Sequence, residues 1–501
     1  MKLNYVVAAL TLAGFHAAPI AAHAGTLDNL VSILDGMQDN TWSRVNVNSF
    51  LDAAPAFADR ALSNSQPTYA ARPESVVYAW SGFTWDSERG DLIIYGGGHA
   101  NYAGNEVYVW DGATQRWGRG SLPSQVERIP NYRGEGNYVP IGGAFVAGSS
   151  VVGASNGPSS AHTYDNTNYL PIADRVLMLG GAAFQSGGSY TLKVDATTAR
   201  NTGPFLWDPS KADPNKVGGA TGTGVNPATQ GGEMWQNRDL VSNNSTVAPG
   251  IDLSYISYIE GTSAVTQEGG KDVVYYTARL GGGTQSTLLR YVVNDVNDPT
   301  QDRLSIVGTN MSAPNAYGAA GYDPINHLYV AMGGNAFMGW DVDNAGLGNY
   351  AAAINPTVIG GQFTGSINYG IDFDAERGVW LVWGGGGTVW ELRAPSSGNL
   401  NGQWILEKVA DEASFSAIAR PAANVSTGTL GKWKYLSDLH AFMALEDNGD
   451  GDLWIYRPEG WTNPVAVPEP STYGSLAAGL GVLGYALRRN RRTRKSTGLS
   501  R

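Results

Sequence analysis

Hydrophobic and polar positions along this chain are grouped in blocks. Four short runs are apolar throughout: Leu92 to Tyr95, Val176 to Leu179, Leu328 to Met332 and Val379 to Trp383, each bounded by turn residues. Such runs read as strands buried on both faces, because a strand with one wet face alternates instead.

The runs share a frame. Trp85-Asp86-Ser87-Glu88-Arg89-Gly90 leads through Leu92 to Tyr95 into Gly96-Gly97, and Tyr322-Asp323 leads through Leu328 to Met332 into Gly333-Gly334. Phe373-Asp374-Ala375-Glu376-Arg377-Gly378 leads through Val379 to Trp383 into Gly384-Gly385, and in all three the Asp precedes the first Gly by ten residues. A fourth copy runs from Tyr169 into Gly180-Gly181, with weaker ones at Val273 to Tyr276 and at Tyr435 through Leu445 to Tyr456. The best copy continues into Asn105 to Asp111 and then Arg116-Trp117. A unit this short buries its faces only against copies of itself, so the recurrence predicts a repeat architecture.

An aromatic-Asp turn, a strand ending in Gly-Gly, an apolar strand ending in Asp and a Trp on the last strand resemble kelch repeats of the galactose-oxidase-like β-propeller family. The resemblance spans roughly residues 75 to 460 and implies an all-β ring of four-stranded blades. Six repeats are legible; wide gaps before Gly180 and Thr277 hold either long loops or a degenerate seventh blade. Asn40 to Val45 looks like the outer strand containing Trp117 but precedes the first repeat. Trp42 is therefore expected to complete the last blade and close the ring, removing its free edges.

Both ends read as addresses. Residues 1–24 have a basic start at Lys2, an apolar run from Tyr5 to Phe15 and Ala22-His23-Ala24, the pattern of a cleaved signal peptide. Residues 25–74 form an N-terminal segment carrying the closing strand. In residues 461–501, Pro468-Glu469-Pro470 is followed by the apolar stretch Tyr473 to Leu487 and an Arg-rich tail, short for a membrane span but able to hold one end at the surface by snorkelling arginines. These parts in this order resemble the PEP-CTERM sorting signal of Gram-negative bacteria that make exopolysaccharide. That resemblance implies export across the inner membrane, a short C-terminal transmembrane helix before processing, an exosortase-type processing partner, and delivery to the envelope, surface or matrix.

Composition narrows the chemistry. The chain has 501 residues, 66 glycines, 15 tryptophans and no cysteine, so disulfides, thiol nucleophiles and Cys-ligated metals are excluded. Its net charge is −11, and the body is more acidic still once the basic tail is set aside, which disfavours a nucleic-acid partner. The copper site of galactose oxidase needs a Tyr–Cys crosslink that this chain cannot make, and no cofactor or metal is expected.

In a propeller, the loops entering each inner strand and those joining second to third strands share one face. His99, after Gly96-Gly97-Gly98, and His162, entering the next blade, are expected there, with Tyr102, Asn105 and Tyr164 nearby. His327 and His440 belong near the opposite face. A His–Tyr pair suits proton abstraction and return, a combination used by some polysaccharide lyases with propeller folds. In that reading Arg89, Arg128 or Arg133 supplies local positive charge. The plainer reading has His99 and His162 bonding loop backbones. Trp80, Tyr164, Tyr317, Tyr369 and Trp433 recur near inner-strand starts, either as platforms for an extracellular glycan or as blade-to-blade packing. Glu446 to Asp452 is acidic, but the calcium-loop frame fails because its twelfth position is Arg457, so a polar hairpin turn is expected. The sequence supports two functions: a binding protein for extracellular polysaccharide or another surface component, and a secreted lyase on the same face.

Overall fold

The repeated aspartates close hairpins. Oδ1 of Asp86 accepts the backbone N–H groups of Glu88 and Arg89 at 3.0 and 3.1 Å. Asp323 does the same for Ile325 and Asn326, and Asp374 for Glu376 and Arg377. A short side chain that satisfies two turn donors fixes the bend, and the chain then re-enters a strand through a left-handed residue: Gly90, His327 and Gly378 have φ of 71°, 54° and 66°. The apolar runs follow as second strands, buried along their whole length in Val379–Trp383 and Ala441–Leu445.

In a computed structural model these hairpins extend into six blades, each built on four antiparallel strands; blades 3 and 5 carry a fifth, and in blade 5 it is Thr357–Ile359, which runs parallel to the outer strand Gln403–Ala410. The structure describes residues 27–464 apart from 61–70, 100, 129–139, 142–143, 147–148, 152–156, 185–190, 194–198, 202, 220–226, 255, 282–285, 309–316, 334–335, 344, 346–349, 362–367, 396–398, 424–426 and 447. Residues 27–461 belong to one unit, and 462–501 are assigned to a second. The expected signal peptide and the expected C-terminal helix both lie outside the described residues. Among the described residues, no helix is long and apolar enough to cross a membrane.

The inner strands, blades 1 to 6 in order, are Thr84–Asp86, Thr167–Leu170, Ser263–Glu268, Ala319–Asp323, Gly370–Asp374 and Trp433–Leu436. Each touches the next, and the last returns to the first, so the strands circle a common axis. The core is divided among the joints between blades: Ile94, Trp110, Met443 and Ile455 fill one, and Leu381, Trp383, Trp433 and Phe442 another.

Closure follows the expectation. Thr41–Arg44 pairs antiparallel with Leu453–Arg457 as the outer strand of blade 6, with Trp42 opposite Tyr456. The Trp42 indole packs against Trp383, Trp433 and Tyr456 at 5.8, 5.6 and 4.9 Å between centroids and donates to the Gly387 carbonyl at 3.1 Å. The acidic hairpin is part of this clasp: Asn46 reaches Asp452, Ser49 reaches Asp450, and Asn448 caps the turn through the Asp450 and Gly451 amides.

The wide gaps hold insertions, and no seventh blade is present among the described residues. Pro140–Ile141, Ala144–Val146, Thr191–Lys193 and Ala199–Asn201 form a separate small sheet. Its strands come from the loop between blades 1 and 2 and the second-to-third-strand loop of blade 2, which share one face. The gap before Thr277 holds the 3-10 turn Asp239–Ser242 and an added short strand, Ile256–Ser257, on the lengthened second strand of blade 3.

Candidate functional site

Among the described residues, five blades enter their inner strands through a bulky residue in the left-handed region. Trp80, Tyr164, Glu260, Tyr317 and Leu430 have φ of 47°, 52°, 61°, 48° and 49°. Each costs on the order of 1 kcal/mol or more, and such strain persists where surrounding contacts over-determine it. Here the contacts run from loop to loop. The Tyr164 amide donates to the Trp80 carbonyl at 2.7 Å, and the Trp80 amide to the Thr427 hydroxyl at 3.2 Å. The repeated backbone state brings a ring of side chains to the rim of the axis.

On that rim the structure gathers His99, His162, Trp80, Tyr164 and Tyr317. Trp80 lies 4.8 Å from His162 and 6.3 Å from Tyr317, and Tyr164 lies 6.3 Å from His162 and 6.0 Å from Tyr317, between ring centroids. His99 meets His162 edge-on at 5.6 Å. Trp80 and Tyr317 are half-buried, His99 is exposed, and His162 and Tyr164 are buried. The Gly-Gly exits make this approach feasible: a Cβ on Gly98 would fall 2.3 Å from the Ala161 Cα, and one on Gly181 would fall 1.7 Å from the His162 carbonyl oxygen.

Beside the aromatic rings, Glu260 and Arg279 form an ion pair, both partly buried, and Glu260 hydrogen-bonds the Tyr317 hydroxyl. No motif in the sequence marks these two. The only local signal is that Glu260 occupies the same place before its inner strand as Trp80 does in blade 1.

His162 is tied down. Its Nε2 lies 3.0 Å from Asn101 Oδ1, and it also hydrogen-bonds the Gly98 backbone. Burial, with a lesser contribution from His99, pushes its pKa down to about 3, so it is neutral at physiological pH. Burial likewise holds the Tyr164 phenol well above its usual range, helped by Tyr317 and Glu260. A histidine poised so low is a weak base at neutral pH and carries no charge with which to neutralise a substrate carboxylate.

Four other candidates do not join the rim. Tyr102 is fully buried, and it and Tyr108 donate their hydroxyls to Glu106 Oε1 at 2.6 and 2.7 Å. Asn105 is buried and staples loops, donating to the Pro158 carbonyl and accepting from the Ser124 amide. Trp433 is fully buried between blades 5 and 6; its blade's counterpart of Trp80 is Leu430. Tyr369 is 7% exposed and stacks on Trp390 at 5.5 Å. Packing between blades rewards aromatic residues at the same places where a ligand would, which is why their recurrence did not separate the two roles.

His327 and His440 stand in turns after inner strands, on the opposite face as expected, with φ of 54° and 50°. Arg89 lies in such a turn too, locked between Asp86 and Asp174 at 2.9 and 2.6 Å. The Arg128 side chain, Arg133 and Pro468, Glu469 and Pro470 lie outside the described residues. Among those described, no cluster of three or more His, Asp or Glu is arranged to hold a metal ion.

Comparison with known families matches residues 466–492 to the PEP-CTERM protein-sorting motif. No curated protein matches the chain. The motif implies recognition by an exosortase and export to the cell envelope or surface of a Gram-negative bacterium.

Proposed function

We propose that this protein is a surface-associated, kelch-like propeller that binds extracellular polysaccharide on the rim formed by Trp80, His99 and Tyr317, with Tyr164 packed beneath them. The observation that carries the reading is the continuous aromatic cluster, held at the axis by left-handed residues beside the Glu260–Arg279 pair. Half-buried rings offer flat apolar faces to the C–H faces of sugars, while the ion pair, Asn101 and His99 supply hydrogen bonds to hydroxyls. The sorting motif is consistent with this role, since it delivers the propeller to where such polymers accumulate. Affinity electrophoresis of the purified protein through gels containing exopolysaccharides tests it. Retardation is expected with at least one polymer, and Trp80→Ala or Tyr317→Ala is expected to weaken binding by about tenfold, roughly 1.4 kcal/mol. Equal retardation of wild type and both variants would refute the assignment.

The His99–His162 contact at 5.6 Å favours a second reading, a lyase in which one histidine withdraws a proton and Tyr164 returns it. The low His162 pKa and the burial of Tyr164 weigh against it. Incubation with a glycan panel separates the two: lyase action generates an unsaturated sugar absorbance that His99→Ala abolishes, whereas a binding protein generates none.

A further inference from the structure

A cavity lies on the axis, away from the rim. It measures about 520 Å³, within the roughly 300–1,000 Å³ range of small-molecule sites, and every blade contributes to its wall: Thr84, Thr167, Ser263, Ala320, Asp372 and Lys434, in blade order. Its lining reaches the turns after the inner strands at Ser87, Ala375 and Ser437, so it opens on the face opposite His99 and His162. Toward the rim the axis is blocked. Tyr164, Ala182 and Leu430 pack together there, and Asp165, directly after Tyr164, ties the blades across the centre. Asp165 accepts the Ala320 amide at 2.8 Å and pairs with the Lys434 ammonium at 2.6 Å.

The charges on the wall select the ligand class. Lys434 is neutralised by Asp165, and Asp372 adds a second carboxylate close enough to raise the lysine pKa. An anion such as a uronate or a phosphate meets net negative charge. A hard cation finds a poor cage, because both Asp372 oxygens already accept backbone amides, those of Phe373 and Tyr435, at 2.9 Å. What remains well served is a neutral molecule bearing many hydroxyls, which needs single hydrogen bonds and not a full coordination shell: each Asp372 oxygen can accept one more beside its amide, the three-donor Lys434 ammonium can donate beside Asp165, and threonine and serine hydroxyls do both. Half-buried Tyr322 and Tyr435 add aromatic surface on the same wall. We propose that the axial cavity is a second binding site, for a neutral monosaccharide or the end residue of a neutral glycan, independent of the rim site.

Calorimetric titration of the purified protein with glucose, galactose, mannose, N-acetylglucosamine and glucuronate tests this. A saturable isotherm is expected for at least one of the four neutral sugars, and glucuronate is expected to bind at least tenfold more weakly than it. Asp372→Asn is expected to weaken that isotherm at least tenfold. Ala375→Trp, on an exposed turn at the mouth and clear of the core, is expected to abolish it without lowering the melting temperature. The double variant Trp80→Ala/Tyr317→Ala is expected to leave it unchanged even where polysaccharide binding at the rim is lost. Absence of binding by all four neutral sugars, tighter binding of glucuronate, persistence of the isotherm in Ala375→Trp, or its loss in the rim variant would each overturn the proposal.

Discussion

Replacing Trp42 by alanine tests the closure of the ring. The indole is 6% exposed, touches three aromatic rings and donates to the Gly387 carbonyl at 3.1 Å. Truncating a buried Trp to Ala costs roughly 3–5 kcal/mol, and a lost hydrogen bond adds about 1 kcal/mol. At about 2.1 cal/mol/K of unfolding entropy per residue, the unit spanning residues 27–461 has close to 0.9 kcal/mol/K. The melting temperature should then fall by roughly 5 °C. Scanning calorimetry measures the shift, and limited proteolysis supplies a second readout: the variant should be cut after residue 44 at protease concentrations that leave the wild type intact. Trp42→Phe, which keeps a ring in the joint, should lose less than half as much. A shift below about 1 °C, or loss of the N-terminal segment with no change in the melting of the remaining blades, would refute the idea that this strand holds the ring shut.

Three other outcomes are expected. Arg238 and Asp302 form a fully buried pair at 2.6 Å in which Tyr291 also donates to Asp302, so Asp302→Asn should cost roughly 3–5 kcal/mol in urea unfolding, while Arg238→Met/Asp302→Leu should recover most of it. Asp91 faces Asp86 and Asp111 across its two neighbouring strands, and burial first, then these like charges, push its pKa up to about 7. A carboxylate raised in the folded state stabilises at low pH and loses that contribution as pH climbs from about 4 through 7. Asp91→Asn should therefore be nearly neutral at pH 4 and stabilising at pH 8, by at most about 4 kcal/mol, as thermal melts across that range will show. His162, finally, should stay neutral from pH 8 to pH 5 in an NMR titration of the imidazole signals; a midpoint above 6 would contradict the burial argument.

Much of the ring was legible because its cause is local. In blades 1, 4 and 5 the Asp of the turn caps two amides within three residues, and the second strand is apolar because both its faces are covered, so both signals survive in the linear sequence. Trp42 was legible by displacement, an outer-strand pattern standing where no blade had begun. The pairing of His99 with His162 followed from loop position alone. What escaped depends on contacts that no local pattern encodes. Glu260 and Arg279 are 19 positions apart and meet because the second strand of blade 3 is unusually long, Lys271–Leu280. Tyr102 looked like a rim residue until Glu106, four residues on, proved to hold its hydroxyl inside. The small insertion sheet joins strands from two loops, each too short to announce itself.

The claim on which the function rests is that the rim aromatic cluster is where polysaccharide lands. Hydrogen-exchange mass spectrometry with and without a retarding polymer tests it most directly. The account requires slowed exchange in the segments carrying Trp80, His99, His162 to Asp165 and Tyr317, with the turns at His327 and His440 unchanged. Slowed exchange confined to those opposite turns, or spread over the outer strands with the rim untouched, would contradict it.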